Sequence, residues 1–240
     1  MKQFKRLFQC ILPVIMGILA LASCDICDDD NNKTTCINDY PNALVTIKPT
    51  ESNGSFFLWV DSAKSYIASN IKTSPYGAKE VRALAYLKDE GLDNSGNPIC
   101  HVFWMDSIRT KSDVVTNGTK QDSTLYGNDP IEIINDWTTV AEDGYLTLRF
   151  RTLWGNNGTK HEINLITGTN PDNPYEVVLR QNANKDITGQ ASDGIIAFRL
   201  NHIPDTKNKY VDLTLKWNSY SGIKTAKFRY KTRNDNYYNK

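Results

Sequence analysis

From Tyr40 onward, apolar residues recur at every second position rather than every third or fourth. That is the period of a β-strand with one buried face and one wet face. The second half of the chain shows it most plainly. Leu146, Leu148 and Phe150 alternate with Thr147, Arg149 and Arg151, and Tyr175, Val177 and Leu179 alternate with Glu176 and Arg180. Ile196, Phe198 and Leu200 share one face. Val211, Leu213, Leu215 and Trp217 alternate with Asp212, Thr214 and Lys216, and Ala226, Phe228 and Tyr230 alternate with Lys227, Arg229 and Lys231. Between the runs stand Gly155-Asn156-Asn157-Gly158, Asn170-Pro171-Asp172-Asn173-Pro174, Asp205-Thr206-Lys207-Asn208 and Ser221-Gly222, which is turn chemistry. Strands at this spacing predict an antiparallel β-sandwich.

The first half has another texture. Phe56-Phe57-Leu58-Trp59-Val60 is apolar on both faces, and Val81 to Leu87 and Cys100 to Met105 are nearly so. Short strands buried on both sides predict a small closed barrel. Residues 113–130 carry Gly, Asn, Asp and Pro with little apolar pattern and are read as a linker.

Ahead of all this lies a segment with no strand pattern. Lys2, Lys5 and Arg6 precede an apolar run of 16 residues, Leu7 to Ala22, broken only by Gln9. A membrane-spanning helix needs about 20 residues, so the layout reads as a secretory signal. Its end, Leu21-Ala22-Ser23-Cys24, resembles the bacterial lipobox. That resemblance implies cleavage before Cys24 and a covalent lipid on its sulfur and amino group, and two or more acyl chains anchor a protein stably. The acids Asp25, Asp28, Asp29 and Asp30 and the polar residues after them form a solvated tether. An acid run in this place is similar to the surface-export signal of Bacteroidota lipoproteins. Asp25 beside the cysteine is similar to the inner-membrane retention signal of enteric bacteria, so the two point to different membranes. The expected address is the outer membrane, at the cell surface, with its periplasmic face as the alternative.

Removing residues 1–23 leaves 25 basic and 27 acidic residues, so there is no general pull toward nucleic acid. Cys10 leaves with the signal and Cys24 takes the lipid. Cys27, Cys36 and Cys100 remain, which allows one disulfide and one free thiol with the pairing open. Their spacing fits no zinc site.

The stretches "DWTTVAEDGYLTLRFRTLWG" (136–155), "HEINLITG" (161–168), "YEVVLR" (175–180), "DGIIAFRL" (193–200) and "VDLTLKWNSYSG" (211–222) resemble the NigD-like lipoproteins of Bacteroidota, and "WMDSIRTK" (104–111) is similar to the end of that family's first domain. The resemblance covers nearly the whole mature chain and rests on strand motifs. It implies an all-β protein with an OB-type barrel, a C-terminal sandwich and a lipid anchor. The family takes its name from an operon tied to a bacteriocin, which suggests immunity or processing, and it offers no catalytic residue to carry over. The expected organisation is a lipoprotein signal over 1–23, an acidic tether over 24–39, an OB-like barrel over 40–112, the linker over 113–130, an antiparallel β-sandwich over 131–235 and a tail over 236–240.

Candidate chemistry is sparse. His101, His161 and His202 lack a second ligand at metal-binding spacing, and His161 and Glu162 open a strand, where neighbours face opposite ways. Gly189-Gln190-Ala191-Ser192-Asp193-Gly194 has the wrong spacing for a nucleophile elbow. No phosphate-loop or dinucleotide motif appears. The expectation is a protein with no enzymatic activity, no metal and no cofactor beyond its lipid, which binds a protein or glycan and no nucleic acid. A bacteriocin immunity or accessory role in the periplasm is the alternative. An OB barrel offers a sheet face and loops that take oligomers such as sugars. Trp154, just before a turn, is the tryptophan most open to a ligand. Trp217 follows the core positions, and Asp136-Trp137 is placed to pack the two domains together. From Lys216 to Arg233 there are six basic residues and no acid, with Lys227, Arg229 and Lys231 on one outer face. They form a basic stripe for an anionic partner, or a solvated face guarding an edge strand. Asp61-Ser62-Ala63, Asp106-Ser107-Ile108 and Asp122-Ser123-Thr124 are similar to the O-glycosylation acceptor of Bacteroidota, which would place sugars on Ser62, Ser107 and Ser123.

Overall fold

Five strands close into a barrel in the order β1-β2-β3-β5-β4: β1 (Ala43–Pro49), β2 (Phe56–Trp59), β3 (Ser65–Ala68), β4 (Val81–Leu92) and β5 (Pro98–Ser107). β3 and β5 run parallel and the other neighbours run antiparallel, which is the OB-type arrangement. The computed structural model describes residues 40–50, 54–61, 64–155 and 158–233. The signal segment, the tether with Cys24, Cys27 and Cys36, Ser62 and the tail over 236–240 lie outside the described residues. The barrel interior holds Val45, Ile47, Phe56, Leu58, Tyr66, Ala83, Ala85, Cys100 and Val102. Ala83 and Ala85 are fully buried there, and each buried Leu, Ile or Phe contributes about 1.5–3 kcal/mol.

The remaining strands build the sandwich. One sheet runs β6 (Arg109–Ser112), β13 (Gln190–Arg199), β10 (Tyr145–Trp154), β8 (Glu132–Ile134), with β9 (Val140–Glu142) also paired to β10. The other runs β15 (Gly222–Tyr230), β14 (Val211–Ser219), β12 (Glu176–Asn182), β11 (Glu162–Thr167), β7 (Val114–Val115). The alternation read from the sequence sets the core: Leu146, Leu148, Phe150, Val177, Leu179, Ile196, Phe198, Leu213, Leu215 and Trp217 form one cluster between the sheets. Most pairings are antiparallel, while β12–β14, β13–β6 and β11–β7 are parallel. The last two arise because the chain leaving the barrel enters both sheets along their edges.

That entry replaces the linker reading. Residues 109–112 belong to the sandwich as β6, and 113–130 carry β7 and a helix, α1 (Thr119–Tyr126). Asp122 of α1 is buried and accepts bonds from the Thr116 hydroxyl and the Asn117 N–H. The polar residues that looked like loop filler satisfy one another and hold the segment in place. The described residues, from 40 to 233, fall in one compact unit.

The barrel docks its outer surface on the outer surface of the first sheet. Leu44 and Ile108 meet Tyr145 and Ala197, with Leu84, Val140 and Ile195 around them. At the centre lies Arg82, fully buried. Its guanidinium donates to Thr46 at 2.9 Å, to Thr147 at 3.4 Å and to the Glu142 carboxylate. Lys48 meets Asp143 at 2.8 Å. Asp143 and Gly144 form the two-residue turn between β9 and β10, both with positive φ (48° and 78°), as a tight hairpin demands. Thr147 is therefore buried although its strand pattern assigned it to solvent. Glu176 and Arg180 depart in the same way, Glu176 through Lys216 at 2.9 Å and Arg180 through Gly127 and Asn128 beside α1.

Replacing Arg82 by Ala leaves the Glu142 carboxylate in the junction without its partner. The expected cost is about 3–5 kcal/mol, the range for breaking a buried ion pair from one side, read as a lowered midpoint in urea unfolding. Little change in midpoint would show that the pair does not hold the junction.

Candidate functional site

β6 and β7 join their sheets late, and this opens one side of the sandwich. β6 pairs only with Ile196–Arg199 of β13, and β7 only with Ile166 and Thr167 of β11. Among the described residues, the edges of β13 from Gln190 to Ile195 and of β11 from Glu162 to Leu165 have no strand beside them. A cleft of about 420 Å³ opens there. Its floor is apolar: Phe150, Ile163 and Ile196 belong to the sandwich core, and Ile195 flanks them. The tip of the Phe150 ring lies against Gly194, where a Cβ would come within 2.6 Å of it, so only glycine leaves that ring in place.

Trp154, the tryptophan singled out in the sequence, forms one wall. Its indole stacks on His161 with centroids 4.3 Å apart and planes at 24°, and its Nε1–H donates to the Ser192 carbonyl at 3.1 Å. The imidazole behind it is buried. His161 Nε2 faces Asp186 Oδ2 at 3.2 Å and Nδ1 faces the Gln181 amide at 3.3 Å. A carboxylate only accepts, so the Nε2 proton points to Asp186. Asp186 Oδ1 accepts the Gly155 N–H at 2.8 Å, and Gln181 also donates to Thr152 at 2.8 Å. These bonds fix the tryptophan before any ligand arrives.

The mouth is basic. Arg109, Lys111 and Lys160 line it against one acid, Glu162. Lys111 is half-committed: its ammonium donates to the Ile163 carbonyl at 2.8 Å and to Asn164, covering part of the bare β11 edge. Burial and then repulsion from Arg109 lower its pKa. Arg109 and Lys160 are exposed and have no ion pair among the described residues. None of these cations was singled out from the sequence. Lys111 lies in the quoted "WMDSIRTK", but only the sheet topology brings that strand beside residues 159–163.

The other candidates fall elsewhere. The stripe on β15 lies on an edge strand and meets partners that the sequence interval did not contain. Lys227 pairs with Asp212 at 3.0 Å, and Arg229 and Lys231 lie 3.7 and 5.3 Å from the Tyr210 ring. Lys216, Lys224 and Arg233 pair with Glu176, Glu132 and Glu80 at 2.9, 2.8 and 2.8 Å. Acids from elsewhere in the chain thus offset four of the six cations in a run that is acid-free along the chain. One face of the barrel, formed by Leu44, Thr46 and Lys48 of β1 and Arg82 of β4, is buried against the sandwich and so is occupied. Trp137 is 52% exposed and does not pack the junction, while Trp59 and Trp217 are buried. Ser107 is exposed at the end of β5, and Ser123 is exposed on α1 although its neighbour Asp122 is buried. His101 lies against Phe103 on the barrel and His202 pairs with Asp113 at 2.9 Å, so the three histidines occupy three separate places.

Cys100 is unpaired and buried in the barrel core. Burial, helped by Asp89 and Glu90, pushes its thiol up to about 11. The thiolate that would react or cross-link is suppressed near neutral pH.

The family model for the NigD-like C-terminal beta sandwich domain matches residues 113–230. A crystal structure from Parabacteroides distasonis, of a protein whose name relates it to toxins, is 32% identical with a TM-score of 0.64, over 79% of this chain and 92% of its own. A Bacteroides vulgatus protein of unknown function is 18% identical, with a TM-score of 0.62 over 80% of this chain and 92% of its own. A NigD-like immunity protein from Bacteroides caccae is 19% identical, with a TM-score of 0.53 over 78% of this chain and 93% of its own. No curated protein matches the chain.

Replacing Asp186 by Ala strands the Gly155 N–H and the buried His161 together. The expected loss is about 1–3 kcal/mol for each such group, with a red shift of tryptophan emission as the Trp154 stack loosens; unchanged emission and stability would refute the supporting role. Separately, native protein treated with a thiol reagent at pH 7 should leave Cys100 unmodified by mass spectrometry and modify it fully in denaturant. Rapid native labelling would place that thiol outside the barrel core.

Proposed function

This chain belongs to the NigD-like family, and from that premise we propose that it is an envelope lipoprotein, held by a lipid on Cys24, that works by binding a protein or glycan partner rather than by catalysis. The observation that carries this reading is the preformed cleft beside Trp154. Its walls are set by the Asp186–His161–Trp154 chain of contacts, so a ligand finds the site already shaped, which is the usual condition of a binding pocket. The fold gives no function by itself, and the site holds an aromatic wall, an apolar floor and cations. The lipobox-like Leu21-Ala22-Ser23-Cys24 and the acids after it support a tethered position at the cell surface.

A second reading is a bacteriocin immunity or accessory protein on the periplasmic side. It is favoured by the names of two solved structures that share the fold, one an immunity protein and one related to toxins.

Protease treatment of intact cells separates the two. Digestion of the wild type without lysis, with a Cys24→Ala variant found unanchored in the soluble fraction, is the outcome expected for a surface lipoprotein. Protection until lysis would move the site of action to the periplasm, and a Cys24→Ala protein that stays with the membrane would remove the lipid from the account.

A further inference from the structure

The cleft between β11 and β13 has a mismatch between its floor and its rim. Phe150, Ile163 and Ile196 make the floor as apolar as the core they belong to. The rim carries Arg109 and Lys160, both exposed and neither in an ion pair among the described residues. Between Lys216 and Arg233, four cations are met by acids from elsewhere in the chain, and the other two, Arg229 and Lys231, lie against the Tyr210 ring. At this rim Arg109 and Lys160 have neither an acid nor an aromatic ring as a partner among the described residues. Glu162 is the one acid of the lining, and it faces Lys111 as well.

We propose that the cleft binds an amphipathic organic anion: an apolar body against Phe150, Ile163 and the Trp154 indole, with a carboxylate at Arg109 and Lys160. The volume of about 420 Å³ falls inside the range of about 300–1,000 Å³ typical of small-molecule pockets. The charge is complementary and one-sided. A carboxylate suits the guanidinium fork of Arg109, which donates two parallel N–H bonds to a planar pair of oxygens. The apolar body explains why the site reaches into the core, since a purely polar ligand would gain nothing from that floor. A neutral sugar would leave both cations without a counter-charge. Lys111 donates to Ile163 and Asn164 and so keeps part of the β11 edge closed to a competing strand. The inference deepens the binding reading by naming a ligand class for its cleft.

The test uses the mature chain from residue 24 carrying Cys24→Ala, titrated calorimetrically with decanoate, decanol and decyltrimethylammonium, which share a chain and differ in head charge. Decanoate is expected to bind at least tenfold more tightly than the other two. Reversing both rim charges, Arg109→Glu with Lys160→Glu, should weaken decanoate at least tenfold and favour the cationic amphiphile; both residues are exposed, and circular dichroism checks that the variant is folded. Decanoate should also change the tryptophan emission of the wild type and leave that of Trp154→Phe unchanged. Equal binding of decanol, absence of binding, or indifference to the charge reversal would each overturn the proposal. Binding of a capped alternating Leu-Glu peptide without binding of decanoate would also overturn it, in favour of strand addition at the open β13 edge. None of these outcomes depends on which side of the membrane the protein faces, so a failure here leaves the protease experiment to judge the envelope reading alone.

Discussion

One buried cation organises this molecule. Arg82 belongs to the barrel and finds its partners on both sides of the junction: Thr46 in the barrel, Thr147 and Glu142 in the sandwich. Taking a guanidinium and a carboxylate out of water is expensive, and the mutual attraction offsets that cost only when the geometry is right. A slip of either half would strand a charge. The pair therefore adds little net stability and restricts the docking tightly. Burial pushes the Glu142 carboxyl up while Arg82 pulls it down, the balance expected of a charge held in place by one neighbour. The same β9–β10 hairpin that supplies Glu142 turns at Asp143-Gly144 and hands Asp143 to Lys48, so one short turn meets two buried cations.

The docking then dictates the path of the chain after the barrel. Ile108 donates its N–H to the carbonyl of Arg82 at 2.8 Å and buries its side chain in the junction. From that fixed point the chain has no slack. It becomes β6 within one residue and β7 within six. Each strand reaches its sheet partway along, pairs briefly and leaves the upstream edge bare. The cleft is thus a consequence of the junction. Two sheets that would otherwise be closed by full edge strands stay parted where β6 and β7 have not yet arrived, and the core residues beneath become a floor.

The sequence spoke clearly where structure follows local alternation. Leu146, Leu148 and Phe150, or Leu213, Leu215 and Trp217, have the same face in the fold as in the pattern, because a strand flips its side chains at every residue whatever its neighbours do. The barrel was legible from doubly apolar runs such as Phe56–Val60 for a related reason: Trp59 on the outer side is buried too, with Lys48 over its ring. What the pattern hid was partnership. Thr147, Glu176 and Arg180 read as wet because they are polar, and they are buried because another element brings a matching group. Residues 113–130 read as a linker because their order comes from side chains such as Asp122 bonding to nearby backbone, which leaves no apolar period. Trp154 was visible as a tryptophan before a turn; Arg109, Lys111 and Lys160 were not, because strands far apart in sequence bring them together.

The same logic ranks the surfaces of the molecule. Charge counted along the chain favours the six cations between Lys216 and Arg233; charge counted in space favours them less, since Glu176, Glu132, Asp212 and Glu80 meet four of them. The barrel face formed by β1 and β4 is filled by Tyr145, Ala197 and the Asp143 turn. What remains is a place where apolar surface is concave and cations lack acids, and both features trace to strands that enter their sheets late. A sheet edge left bare is ordinarily a hazard for aggregation. Here Lys111 lies across one edge and Trp154 bonds to Ser192 on the strand of the other, so the opening is guarded against another strand while the hollow between the sheets stays free.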